Sequence, residues 1–358
     1  MRISSLASYM LGMSIALAAL AGCGSPPVGP TPLAQSGGPT ANLFRTMRGG
    51  IVRGGGVTPR SFMDARAVGK PLLFIAEGAT IGIYSQGRKN EQVGAITVPS
   101  IWAATDTARN VYSVNSAFSE ADVTVYAPPY TNGPKLTLTR GTGLYAPLAV
   151  SRQGTIAVAG CASPSGSQCS VAVLFYAAGS TTPCSVVGVD PMLFPSVGSV
   201  AFDHDGRLYF ASYGSNGTVP LTVGRIKGGC NAKKVETFTT ANAIAYALDL
   251  HIDKAGRIAI ATAAQPSGEQ IVIDTYDPPK KGSLGNPIST TMLNLPETFD
   301  AFVFQASGRG LWAGYFGNGT SPGGAAEYAY PAGGDPRRTV SACGACLGGV
   351  AVTPALVP

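Results

Sequence analysis

The chain has 358 residues and a formal net charge of +6, with 12% charged residues against 45% hydrophobic ones. That balance excludes a disordered chain, and the lack of a basic run with interleaved aromatics gives nucleic-acid binding no support. The 47 glycines and 27 prolines, in a chain otherwise this apolar, read as turn punctuation.

The N-terminus has the three zones of an export signal. Arg2 supplies a positive start, Leu6 to Leu20 is apolar apart from small residues and Tyr9, and Leu20-Ala21-Gly22-Cys23 closes it. This tetrapeptide resembles the bacterial lipobox, in which a small residue precedes a cysteine whose thiol takes a diacylglycerol before the signal is removed. The alternatives are an ordinary signal peptide cut after Ala19-Leu20-Ala21 and an uncleaved anchor, although the apolar run is short for a ~20-residue span. The resemblance implies that residues 1–22 are a signal peptide and that Cys23 is lipidated. The protein is then attached to a membrane on the extracytoplasmic side of a bacterial envelope. Gly24 is not the aspartate that retains many such proteins at the inner membrane, so the outer membrane is expected where the host has one.

Residues 23–60 are rich in Gly, Pro, Ser and Thr and read as a flexible tether. Its Arg45, Arg48 and Arg53 are either solvated or in contact with anionic head groups, at up to ~1 kcal/mol each. Ser61-Phe62-Met63 marks the start of a domain over residues 61–358.

Within that domain one unit recurs: a short apolar strand, a turn ending in Gly, a second strand, then a third and a weaker fourth. Ser199-Val-Ala-Phe-Asp203, a turn at Gly206 and Arg207-Leu-Tyr-Phe-Ala211 form the clearest copy. Others place turns at Gly154, Gly256 and Gly308, and a degraded copy begins at Trp102. The turn glycines repeat at spacings of 52, 50 and 52 residues, which suits a four-stranded blade. Third strands include Val123 to Tyr126 and Ile271 to Tyr276; fourth strands include Leu136 to Leu138, Ser185 to Val187, Val235 to Phe238, and Thr339-Val340. Inner strands centre on Ala104, Ala149, Ala201, His251, Val303 and Ala351. The domain opens at Leu72-Leu-Phe-Ile-Ala76, a second strand with no first before it, and ends at Gly349-Val-Ala-Val-Thr353, a first strand with nothing after it. The predicted fold is therefore all-β: a six-bladed β-propeller closed by pairing the C-terminal inner strand with the N-terminal blade.

The V-A-x-D-x-x-G-x-L-Y and V-x-V-Y-x-P cadence resembles NHL-type and related six-bladed propellers, particularly bacterial lipoprotein versions. The resemblance covers about residues 61 to 358, with Ser151 and Gln305 standing where the motif has Asp. It implies a fold and carries no activity with it.

Six cysteines follow Cys23, and export implies disulfides among Cys161, Cys169, Cys184, Cys230, Cys343 and Cys346. Cys161 and Cys169 bracket one loop, Cys184 and Cys230 fall on outer strands of adjacent blades, and Cys343-Gly-Ala-Cys346 is a local pair. Redox chemistry at that last motif is the alternative, but no helix follows to lower a thiol pKa. His204 reads as an exposed turn residue. His251 replaces a small inner-strand residue, and so either faces the central channel or fills a gap between blades. Glu77, Asn115, Asp122, Asp249 and Asp300 are the oxygen ligands nearest the blade-centre strands, candidates for a divalent cation if they converge. Tyr112, Tyr145, Tyr209, Tyr213, Trp312, Tyr315 and Phe316 either pack between blades or edge a ligand-binding mouth together with His251. The expected function is a membrane-anchored ligand- or protein-binding module whose partner is an envelope protein, a glycan or a small ligand. No cofactor is expected beyond a divalent cation. The alternatives are a divalent-metal-dependent hydrolase or lactonase with carboxylates at the axis, and a docking platform in an envelope assembly.

Overall fold

The computed structural model describes residues 61–356 apart from 88, 115–121, 139–143, 162–169, 195, 213–219, 244–246, 264–269, 281, 318–321 and 344–348. The signal segment, Cys23 and the tether lie outside the described residues. The described chain forms six sheets, antiparallel apart from one short rim strand, arranged as the blades of a propeller. Blade 2 is the simplest, with Trp102–Thr105, Val111–Val114, Val123–Tyr126 and Leu136–Leu138 in sequence order from axis to rim. Blade 3 starts at Leu144–Val150, blade 4 at Ser199–Phe202, blade 5 at Ala247–Ile252 and blade 6 at Phe299–Phe304.

Closure follows the expected route. Val350–Thr353 pairs antiparallel with Leu72–Ala76, matching Ala351 with Phe74, and so supplies the inner strand of blade 1. Two rim additions were not evident in the repeat. Phe62–Met63 pairs with Gln92–Ile96 as a fifth strand of blade 1, and Ser283–Gly285 adds in parallel to the outer strand of blade 4. Both cover outer edges that would otherwise expose unpaired backbone.

The core is distributed as six interblade clusters. In Leu72–Ala76, Leu72 and Phe74 face blade 2 while Leu73 and Ile75 face blade 6. Both faces of a second strand are thus buried, which explains continuous apolar runs such as Leu208–Ala211 and the first four residues of Ile258–Ala263, where a one-sided sheet would alternate. The blade 6–blade 1 cluster joins Trp312, Ala325 and Val340 to Leu73, Val350 and Val352, so the ring closes through packing as well as hydrogen bonds.

The inner turns repeat one device. Gly154, Gly206, Gly256 and Gly308 have φ between 68 and 81°, and Arg109 adopts φ 66° at the same position in blade 2. Asp203 Oδ1 accepts from the N–H groups of Asp205 and Arg207, while its Oδ2 holds the Arg207 guanidinium. Asp253 does the same with Ala255 and Arg257. In blade 3 the Ser151 hydroxyl replaces the carboxylate and accepts from Thr155 N–H. The recurring Asp is therefore a turn cap.

Cys184 and Cys230 form a disulfide from the rim of blade 3 to the short 3₁₀ turn Gly229–Asn231 of blade 4. The side chains of Cys161 and Cys343, and Cys169 and Cys346 entirely, lie outside the described residues.

Candidate functional site

Antiparallel order puts the first-to-second and third-to-fourth turns of every blade on one face of the ring, here termed the turn face. The remaining connections lie on the opposite face. At the axis, Ala104, Ala149, Ala201, His251, Val303 and Ala351 wall a cavity of about 130 Å³. Thr107, Arg152 and His204 border its turn-side mouth, as does Ala355–Leu356 beyond the closing strand. Ala355 pairs with Gln305, and Leu356 packs on the cluster between blades 5 and 6, which fixes this segment beside the mouth.

His251 does both things open to it. It lines the cavity with its side chain 26% exposed, and its ring packs edge-on to Phe302 with centroids 4.7 Å apart. Its Nε2 lies 3.2 Å from Asp249 Oδ2. The buried Asp249 carboxylate accepts from Leu250 N–H on Oδ1 and from Phe302 N–H of the next blade on Oδ2, both at 2.8 Å. It fastens blade 5 to blade 6 where the inner strands of both shift register, between Ala247 and Asp249 and between Phe299 and Phe302.

Asp300 belongs to the second of these shifts. Its Oδ2 is buried with no hydrogen-bond partner among the described residues. Burial first, and the Asp249 charge second, hold its carboxyl well above the usual carboxylate range. A carboxylate pair beside a histidine was not anticipated as a unit, although all three residues stood out singly. Among the described residues no group of three or more His, Cys, Asp or Glu is placed to hold a metal ion. Of the other oxygen ligands, Glu77 accepts from Thr80 and Tyr84, both within its own blade. Asp122 sits just before the third strand of blade 2, and Asn115 lies outside the described residues.

The aromatic mouth needs correction. Tyr112, Tyr209, Trp312 and Tyr315 are buried, with at most 5% of their surface exposed. They lie on second strands, whose two faces are covered by neighbouring blades, so a large ring there becomes interblade packing. Tyr112 donates to Asp106, Arg225 lies over Tyr209, and Arg338 lies over Trp312. Tyr213 and the side chain of Tyr145 lie outside the described residues, and Phe316 is partly exposed. Of the candidate mouth residues described, His251 is the one that reaches the channel.

No protein-family model and no curated protein sequence matches the chain. Among solved structures it is similar to TolB from Acinetobacter baumannii, with a TM-score of 0.56 and 14% identity. The alignment covers 79% of this chain and 66% of that one, just under two thirds of its length. A functionally unknown protein from Desulfotomaculum acetoxidans aligns with a TM-score of 0.51 and 10% identity, over 84% of this chain and 89% of that one. At these identities the likeness shows the propeller fold alone.

Proposed function

We propose that this protein is a lipid-anchored, extracytoplasmic propeller that acts as a binding module, engaging its partner on the surface of the ring. The observation that carries this reading is the size of the axial cavity. At about 130 Å³ it falls well below the roughly 300 Å³ at which pockets for small organic ligands begin. Five of the six wall positions are Ala or Val, and the sixth, His251, already has Asp249 as its partner. Such a channel admits a few waters or one side chain, and a larger partner meets the ring at its faces. The lipobox-like segment ending at Cys23 supports the anchored part of this reading, and the NHL-like repeat cadence supports its fold.

A second reading, a divalent-metal hydrolase or lactonase with axial carboxylates, has one specific observation behind it: the buried carboxyls of Asp249 and Asp300 interact, with His251 of the channel wall against the first, although as they stand the three do not form a metal site. Elemental analysis of the purified protein, with thermal melts in calcium and magnesium, separates the two. The binding-module reading expects no stoichiometric metal and no rise in melting temperature. One bound metal per chain, with a clear rise, would replace it with the hydrolase.

A further inference from the structure

The fold sorts the charges of the ring by face. On the opposite face, the described connections carry Glu77, Asp122, Asp190 and Glu297 and no lysine or arginine. The turn face carries cations on every blade. Its carboxylates are largely neutralised where they stand: Asp203 by Arg207, Asp253 by Arg257, Glu327 by Arg338, Glu236 by Arg225 and Lys227, and Glu91 by Lys89. Asp277 and Asp335 are exposed on this face without an ion pair among the described residues, but the unpaired cations outnumber them and the remainder is net positive. Lys70, Lys135, Arg152, Lys234, Lys254 and Arg309, one from each blade in ring order, are exposed and have no carboxylate partner among the described residues.

We propose that the turn face docks against an anionic lipid surface. The cations are spread around all six blades and are not gathered into a groove, which suits a delocalised sheet of negative charge. A peptide partner would call for a central apolar or aromatic anchor, and among the described residues no exposed aromatic lies on this face. Lysine and arginine side chains near an anionic bilayer act additively, and their attraction fades within a Debye length. The opposite face, whose described connections hold no lysine or arginine, is thereby turned away from the membrane and left open to partners. The proposal rests on the anchored reading above, because the tether is what would hold the disc near a bilayer.

The test separates the two. The mature chain, residues 23–358, carrying Cys23→Ser and so having neither the lipid nor the apolar signal segment, is sedimented with vesicles of phosphatidylcholine alone or with about 30% phosphatidylglycerol. Binding then reports on the face and is independent of the anchor. The expected result is at least about tenfold tighter binding to the anionic vesicles, abolished by about 0.5 M salt. Reversal of four cations (Arg152→Glu, Lys234→Glu, Lys254→Glu and Arg309→Glu) lowers it by about tenfold or more. The corresponding glutamine set gives a smaller loss and guards against misfolding of the reversed variant. Met192→Glu, on the opposite face, leaves binding unchanged. Equal binding to neutral and anionic vesicles, or anionic binding that survives the fourfold reversal, overturns the proposal. Retention on immobilised polyglutamate without vesicle binding also overturns it, in favour of an acidic protein partner.

Discussion

Replacing both Cys184 and Cys230 with serine tests how much the ring depends on its rim. The disulfide joins residues 46 apart in sequence and fastens the edge of blade 3 to blade 4. Closing a loop of that length removes chain entropy from the unfolded state worth about 4 kcal/mol at 25 °C. The folded state loses little else, because Ser185 still donates to the Ala232 carbonyl at 2.8 Å and Ala232 stays in the cluster between blades 3 and 4. For a domain of roughly 300 residues, 4 kcal/mol corresponds to a fall in melting temperature of about 6 °C. Calorimetry of the oxidised parent and the double-serine variant provides the assay, with urea melts at 25 °C alongside. A fall of under about 2 °C with an unchanged urea slope would refute the chain-entropy argument.

Two further outcomes follow from the interior. The Asp300 carboxyl titrates above its unfolded value, so the folded chain keeps a proton that the unfolded chain loses as pH rises past about 4. Stability then falls by up to about 1.4 kcal/mol per pH unit until the folded group ionises. In Asp300→Asn that contribution disappears, so urea melts from pH 4 to 8 should show the variant gaining on the parent as pH rises. A difference independent of pH contradicts the assignment. At Gly224 a Cβ would lie 2.1 Å from Phe210 Cζ, and the Phe210 ring is itself packed against Phe194 at 4.7 Å. Gly224→Ala should therefore cost about 1–3 kcal/mol by overpacking. Adding Phe210→Leu should recover part of that loss, whereas additive losses would show that the ring is not the obstacle.

Much of the fold was legible because each blade repeats a turn that only certain residues satisfy. The glycines at 154, 206, 256 and 308 all take left-handed φ, and the six inner-strand centres fall where the repeat placed them. The Cys184–Cys230 bridge was legible for the same reason, since both residues sit at fixed places on neighbouring blades. The aromatics were not. Alternation distinguishes inside from outside only in a sheet with one wet face, and a propeller blade has none near its middle, so the pattern alone leaves Tyr209 and Trp312 open to a mouth as well as to the interblade packing they show. The Asp249–Asp300 pair escaped because register shifts in both inner strands move it out of the repeat phase. The sorting of charge by face needed only the strand order added to the sequence, since Lys135, Arg152 and Lys254 all fall in turn-face connections.

Attachment through Cys23 is the premise on which the anchored binding module stands. Metabolic labelling with an alkyne fatty acid, followed by membrane fractionation, tests it directly. Label on the wild-type chain in membranes washed with about 0.5 M salt, lost together with that salt-resistant retention in Cys23→Ser, is the predicted result. An unlabelled chain that fractionates identically with and without Cys23 would contradict the account.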